Sequence, residues 1–191
     1  MGRWLPNALS LLRALAALPI AWLIVQQQWL SAFWLALAAG STDLLDGWLA
    51  KRYGWQSRLG AALDGLADKA LLLAVFVALV WIGRLPTWWL LLVLGRDSVI
   101  VLGSFAYHRL IEPLQPQPSA LGKAATFSQL VLALGLMLDG VGLPSPPRLT
   151  ATLLWLAATL TLASGVHYVV LWVRRAVRHR ANAQREVSNE P

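Results

Sequence analysis

Six apolar runs, at about residues 7–28, 29–50, 60–83, 86–111, 120–138 and 149–173, follow one another through the chain with short polar breaks between them. Each is long enough to cross a hydrocarbon core of roughly 30 Å as a helix, which takes about 20 apolar residues. Backbone inside lipid must satisfy its own hydrogen bonds, so the expected fold is all-α, a polytopic membrane protein of six transmembrane helices. Residues 1–173 are expected to form that one membrane domain and 174–191 a basic cytoplasmic tail, with no length left for a separate soluble domain. Composition agrees, since 58% of residues are hydrophobic and 13% charged, which excludes a Rossmann fold, a TIM barrel and a disordered scaffold. There is no cysteine, so disulfides, thiolate nucleophiles, zinc–thiolate centres and iron–sulfur clusters are excluded as well.

Charge placement gives an orientation. With the N-terminus inside, one side collects Arg3, Lys51, Arg52, Arg58, Arg109, Lys123, Arg174, Arg175, Arg178, Arg180 and Arg185, while the other collects Arg84 and Arg148. The positive-inside rule then places both termini in the cytoplasm. The first run carries Arg13 and Pro19 and is not followed directly by an A-x-A cleavage pattern, so it is expected to be a retained helix rather than a cleaved signal. Pro86, Gly140, Gly142, Pro144, Pro146 and Pro147 fall in the two outside loops, and Trp81, Trp88 and Trp89 flank the first of them as an aromatic belt would. The tail beginning at Arg174 is a basic juxtamembrane helix suited to anionic lipid headgroups.

The acids are less evenly placed. Asp43 and Asp46 are spaced i, i+3, and Asp64 and Asp68 are spaced i, i+4, so each pair shares one face of its own helix. A basic segment from Lys51 to Arg58 separates the pairs, which makes spans two and three an antiparallel hairpin with four carboxylates near its cytoplasmic end. Such charges are costly in or near a bilayer and repel one another, and Lys69 alone cannot balance four of them. An all-oxygen cluster without His or Cys suits a hard divalent cation, Mg2+, Mn2+ or Ca2+. Two such ions are a recurrent device for phosphoryl chemistry. Gly47, Ala50, Gly60 and Gly65 leave the backbone open to a nucleotide or phosphate, although small residues also serve helix packing.

The run Asp43-x2-Asp46-Gly47-x2-Ala50-Lys51-x8-Gly60-x3-Asp64-x3-Asp68 resembles the signature of the CDP-alcohol phosphatidyltransferase family, D-x2-D-G-x2-A-R-x8-G-x3-D-x3-D, at every spacing. Lys51 stands where the pattern has Arg, which keeps the cation and loses the bidentate fork, and Gly65 stands where relatives often have Pro. Pro6-Asn7-Ala8-Leu9-Ser10-Leu11-Leu12-Arg13 is similar to the family's N-x2-T/S-x2-R opening, and Gly122-Lys123 with Thr126 and Gln129 is similar to the stretch that opens span five in its glycerol-lipid branch. The resemblance implies a membrane enzyme that transfers the phosphatidyl group of CDP-diacylglycerol to an alcohol and releases CMP. It implies Asp43, Asp46, Asp64 and Asp68 as ligands of Mg2+ or Mn2+, two ions in all, with Asp68 also the general base. It implies Asn7, Ser10, Gly47, Ala50, Lys51 and Gly60 at the CDP group, and a homodimer in a membrane, with a bacterial inner membrane fitting so compact a chain.

Arg96 and Asp97 lie inside span four, where a charged pair is more often functional than decorative. Adjacent residues do not face each other on a helix, so each is expected to need its own partner. Arg96, Lys123 and Arg109 are the candidates for the acceptor's phosphate or headgroup, whereas His167 and Tyr168 read as interfacial packing. Two acceptors fit this pattern: phosphatidylglycerol, giving cardiolipin, and glycerol 3-phosphate. Asp97 after Arg96 is similar to the first branch, relatives of the second often having Glu there. Inositol phosphate, serine and amino-alcohol acceptors remain as alternatives, and no nucleic-acid partner is expected. A cation transporter would also explain intramembrane carboxylates, but it predicts acids spread along a path through the bilayer rather than gathered at one end.

Overall fold

The computed structural model describes residues 5–53, 58–110, 119–143 and 146–188; of residues 5–7, 9, 43–53, 58, 59, 61–63, 108, 110, 147, 176 and 178–188 it describes the backbone alone. Six helices follow in order: α1 Leu5–Val25, α2 Trp29–Tyr53, α3 Arg58–Trp81, α4 Thr87–Leu110, α5 Ala120–Gly140 and α6 Pro147–Ser188. No strand occurs among the described residues. The first five match the apolar runs to within about three residues at either end, while α6 continues through the basic tail to Ser188.

Three of the helices stop in the same way. After α1, the Gln28 amide donates to Leu23 O at 2.8 Å and the Gln27 amide to Ile24 O at 2.9 Å. This is the paired 6→1 and 5→2 bonding of a Schellman motif, whose C′ residue must adopt positive φ. Gly83 (φ 73°) plays that part after α3 and Gly142 (φ 95°) after α5, but Gln27 takes it with φ 56° after α1. A side chain there is strained by about 1–2 kcal/mol. Gly83→Ala is therefore expected to lower stability by about 1 kcal/mol, read as a lower thermal midpoint in detergent.

The chain divides into two compact units. Unit 1 is Met1–Leu90 with Leu130–Thr150, and unit 2 is Leu91–Gln129 with Ala151–Pro191. In unit 1, α1 packs on both α2 and α3. Ala17, Ile20 and Ile24 of α1, Ala32 and Ala39 of α2, and Ala67, Val75, Phe76, Ala78 and Leu79 of α3 are buried. The alanines let the helices approach closely, which is how helices associate where lipid removes the usual hydrophobic drive. At one end of this unit Arg84 donates to Asp139 Oδ2 at 2.8 Å and lies 5.1 Å over the Trp29 ring. Gly140 abuts that ring so closely that an added Cβ would fall 2.3 Å from it.

Unit 2 holds most of α4, the start of α5 and the body of α6. Gln129 donates to Thr161 Oγ1 at 2.9 Å, and Thr161 donates to Ala157 O at 2.7 Å, so two buried polar groups satisfy each other. Gly103 faces Trp172, whose ring occupies the space a Cβ would need.

Among the described residues, α4, α5 and α6 contain stretches long and apolar enough to cross a bilayer, Thr87–Tyr107, Ala120–Gly140 and Arg148–Arg175. The described side chains of α1 and α2 add the apolar stretches Ser10–Val25 and Trp29–Thr42. In α3, Asp64, Asp68 and Lys69 fall in the N-terminal half and leave the apolar run from Ala70 to Trp81 beyond them. Leu11, Leu15, Leu18 and Trp22 on α1 and Leu91, Leu102 and Phe105 on α4 are exposed. Apolar faces of that extent mark contact with a nonaqueous surrounding, which for long apolar helices is lipid.

Candidate active site

The carboxylates of α3 meet α1. Asp64 and Asp68 lie one helical turn apart, so both project from one face of α3. Ser10 and Arg13, three residues apart on α1, project towards them and are buried, Arg13 to 1% exposure. Ser10 Oγ donates to Asp64 Oδ1 at 3.2 Å. Arg13 Nη1 donates to the same Asp64 Oδ1 at 3.0 Å and also to Asp68 Oδ1 in a short ion pair. One nitrogen therefore marks the point on which two carboxylate oxygens converge. The carboxylates themselves are 36% and 39% exposed, so each has one side against Arg13 and another open.

Arg13 corrects the expected charge balance. The sequence balance set Lys69 aside as insufficient and looked to divalent metal, and the chain adds a cation of its own from α1. The signal was present: a lone arginine inside an apolar helix is costly unless it has a partner. What the sequence did not contain was the partner, more than 50 residues away.

The helical backbone of α2 runs through Asp43, Asp46, Gly47, Ala50 and Lys51, which keeps the two acids at i, i+3 spacing on one face. The side chains of these residues and of Asn7 lie outside the described residues. Gly60 is half-buried at the start of α3, and Gly65 is exposed with nothing within 4 Å of an added Cβ. Among the described residues no group of three acids or imidazoles is assembled. The fit to a divalent cation therefore rests on Asp64 and Asp68: hard oxygen donors, converging, partly open, and already holding a cationic nitrogen between them.

A second polar cluster lies within unit 2. Arg96 is 10% exposed; its Nη1 donates to Asp97 Oδ1 at 2.6 Å and its Nη2 to Ser164 Oγ at 3.1 Å. The expectation that Arg96 and Asp97 cannot serve each other is thus overturned. Adjacent Cβ atoms do diverge on a helix, but the guanidinium at the end of a long flexible arm curls back to its neighbour. Buried Arg96 Nε has no hydrogen-bond partner among the described residues.

Tyr168 also does more than pack. Its hydroxyl accepts from the Ser119 amide at 2.9 Å, while Ser119 Oγ accepts from the Gly122 amide at 3.0 Å and caps α5. A Cβ at Gly122 would meet Ser119 Oγ, Tyr168 Oη and Arg96 Nη2 at 3.2, 3.3 and 3.4 Å, so glycine lets the first turn of α5 close on these groups. Lys123 is exposed on that same turn. Arg109 stands apart: it lies 5.4 Å over the Phe105 ring, and its Cα is about 20 Å along α4 from that of Arg96 at 1.5 Å per residue. Beside Arg96, α4 and α6 enclose a cleft of about 400 Å³ lined by Leu91, Val99, Leu162, Val166 and Val169.

Carboxylates paired one turn apart on α3, in a chain with three helices long and apolar enough to cross a bilayer, point to a class of membrane proteins that carry polar chemistry on their helices. Comparison with known proteins supplies the family. The model of the CDP-alcohol phosphatidyltransferase family matches residues 3–163. A cardiolipin synthase (CMP-forming) of Streptomyces coelicolor is 38% identical over 185 residues, covering 91% of this chain and 84% of that protein. The chloroplastic CDP-diacylglycerol–glycerol-3-phosphate 3-phosphatidyltransferase 1 of Oryza sativa subsp. japonica is 32% identical over 195 residues, covering 92% of this chain and 58% of that one. The crystal structure of the phosphatidylinositol phosphate synthase of Mycobacterium tuberculosis with CDP-DAG bound shares the fold, with a TM-score of 0.64 at 19% identity over 87% of this chain and 85% of that one. The chain belongs to the CDP-alcohol phosphatidyltransferase family.

Proposed function

We propose that this protein transfers the phosphatidyl group of CDP-diacylglycerol to a hydroxyl of phosphatidylglycerol, giving cardiolipin and CMP, with two Mg2+ or Mn2+ ions held by Asp43, Asp46, Asp64 and Asp68. The observation that carries this reading is the convergence of Asp64 and Asp68 on one point, at the positions where the family signature ends. When bound, the ions would stabilise charge on the diphosphate.

The chain's own residues supply the rest. Asn7, Ser10, Gly47, Ala50, Lys51 and Gly60 are assigned to the CDP group. Asp68 is assigned the acceptor's proton: as the hydroxyl oxygen bonds to the phosphatidyl phosphorus, the phosphorus–oxygen bond to CMP breaks and the proton passes to the carboxylate. A hydroxyl is a weak nucleophile, and a placed general base contributes about 100- to 10,000-fold. Arg96 and Lys123 are assigned to the acceptor's phosphate, and Arg109 to its headgroup.

The apolar cleft beside Arg96 supports an acceptor that carries acyl chains, as does likeness to a protein named cardiolipin synthase over most of both lengths. The rice relative favours glycerol 3-phosphate as the second reading. Six spans, both termini in the cytoplasm, a bacterial inner membrane and a homodimer belong to the same proposal, supported by the charge asymmetry of the loops and by the family resemblance.

Purified protein in detergent, given CDP-diacylglycerol and Mg2+ or Mn2+, should release CMP with phosphatidylglycerol and form cardiolipin. Glycerol 3-phosphate, inositol phosphate and serine are offered separately. Turnover with glycerol 3-phosphate alone would move the assignment to the second reading, and CMP release that survives chelation would remove the metals from it.

A further inference from the structure

Arg13 is a buried cation set against both carboxylates of α3. It is 1% exposed, and a single nitrogen of its guanidinium holds Asp64 and Asp68 at once. We propose that Arg13 is the exchangeable counter-ion of this pair: it binds the two carboxylates in the metal-free protein and yields them when a divalent cation loads. The inference rests on the metal-dependent reading given above.

Two carboxylates one turn apart repel, and an arginine buried without an anion is strongly unfavourable, so each side needs the other while no metal is present. A cation shared by the same two carboxylates would lie within a few ångströms of the guanidinium, where like charges in a partly buried setting repel far more than in water. The two cations therefore exclude each other from the shared position. Both carboxylates stay more than a third exposed beside Arg13, so the face keeps a side on which a divalent ion can approach. The advantage of the device is a site that stays folded in the membrane before loading.

The test uses the full chain in detergent, stripped with a chelator and titrated with Mn2+, with unbound Mn2+ read from its EPR signal and the thermal midpoint followed in parallel. Arg13→Gln should bind Mn2+ at least tenfold more tightly than wild type, with a lower midpoint without metal and a larger rise on adding it. Arg13→Lys, which keeps the charge, should bind Mn2+ within about threefold of wild type. An Arg13→Gln protein with unchanged or weaker Mn2+ affinity overturns the inference. Should Arg13→Gln not survive metal-free buffer, recovery on extraction in Mn2+ supports the exchange, and loss in both buffers overturns it. Wild type that binds no Mn2+ overturns the metal reading itself, whereas wild type that binds with no gain in Arg13→Gln overturns the exchange alone.

Discussion

Asp68→Asn is expected to lower kcat for CMP release by about 100- to 10,000-fold, the contribution of a placed general base. Asparagine keeps the size of the side chain and an oxygen that can still accept from Arg13, so the contact between α1 and α3 survives the change. What it loses is the negative charge, and with it the ability to take the acceptor's proton and part of the hold on the ions, so the variants are compared at saturating Mg2+ or Mn2+. KM for CDP-diacylglycerol should therefore change far less than kcat, and the thermal midpoint should fall less than in Asp68→Leu, where Arg13 loses the acceptor altogether. The pair of readouts separates a base from a merely structural anion. A kcat within about threefold of wild type would remove Asp68 from the proton transfer, and a collapse of both variants to the same low midpoint would make its role one of folding.

Arg96→Met should reduce kcat/KM for the acceptor by about 10- to 150-fold, because one charge-assisted hydrogen bond is worth about 1.5–3 kcal/mol and each 1.36 kcal/mol is a factor of ten. Methionine fills much of the same apolar length beside Val99 and Val166 without the charge. The substitution also takes the guanidinium away from Asp97 and Ser164, so part of its effect is structural. Ser164→Ala measures that part, since it removes only the hydroxyl contact and leaves the charge in place. An acceptor KM that moves in Arg96→Met and not in Ser164→Ala places the guanidinium on the substrate. A fall in the midpoint of both, with acceptor KM unchanged, would make Arg96 a brace between α4 and α6.

The helices were legible because their information is local. An apolar run of about 20 residues ended by Gly83 or by the Pro-rich segment after Gly142 allows little besides a helix of that length, and the ends follow within about three residues. The continuation of α6 to Ser188 was legible for another reason: residues 174–188 contain no Gly or Pro and are rich in Arg and Ala, which favour helix once one is started. The close of α1 was not legible, since Gln27 is a residue that rarely adopts positive φ and nothing around it announces the turn.

At the site, local spacing placed Asp64 and Asp68 on one face, because the 3.6-residue period fixes that whatever the rest of the chain does. It could not say what neutralised them. Arg13 on α1 looks in the sequence like any isolated charge in an apolar run, and only the packing of α1 on α3 brings its guanidinium to both carboxylates. Arg96 and Tyr168 failed in the same way. Rules about which Cβ atoms face each other do not describe the reach of a guanidinium, and nothing near Tyr168 in the sequence indicates that its hydroxyl will accept the Ser119 amide from another helix.

By itself, then, the sequence determined the all-helical class, the register of each acidic pair and the family, all of which depend on spacing along one segment. The tertiary structure decided which charges are paired, which glycines carry a close approach and which side chains line the cleft beside Arg96. Those depend on the meeting of segments tens of residues apart, where a single contact fixes the state of a buried charge and no local pattern encodes it.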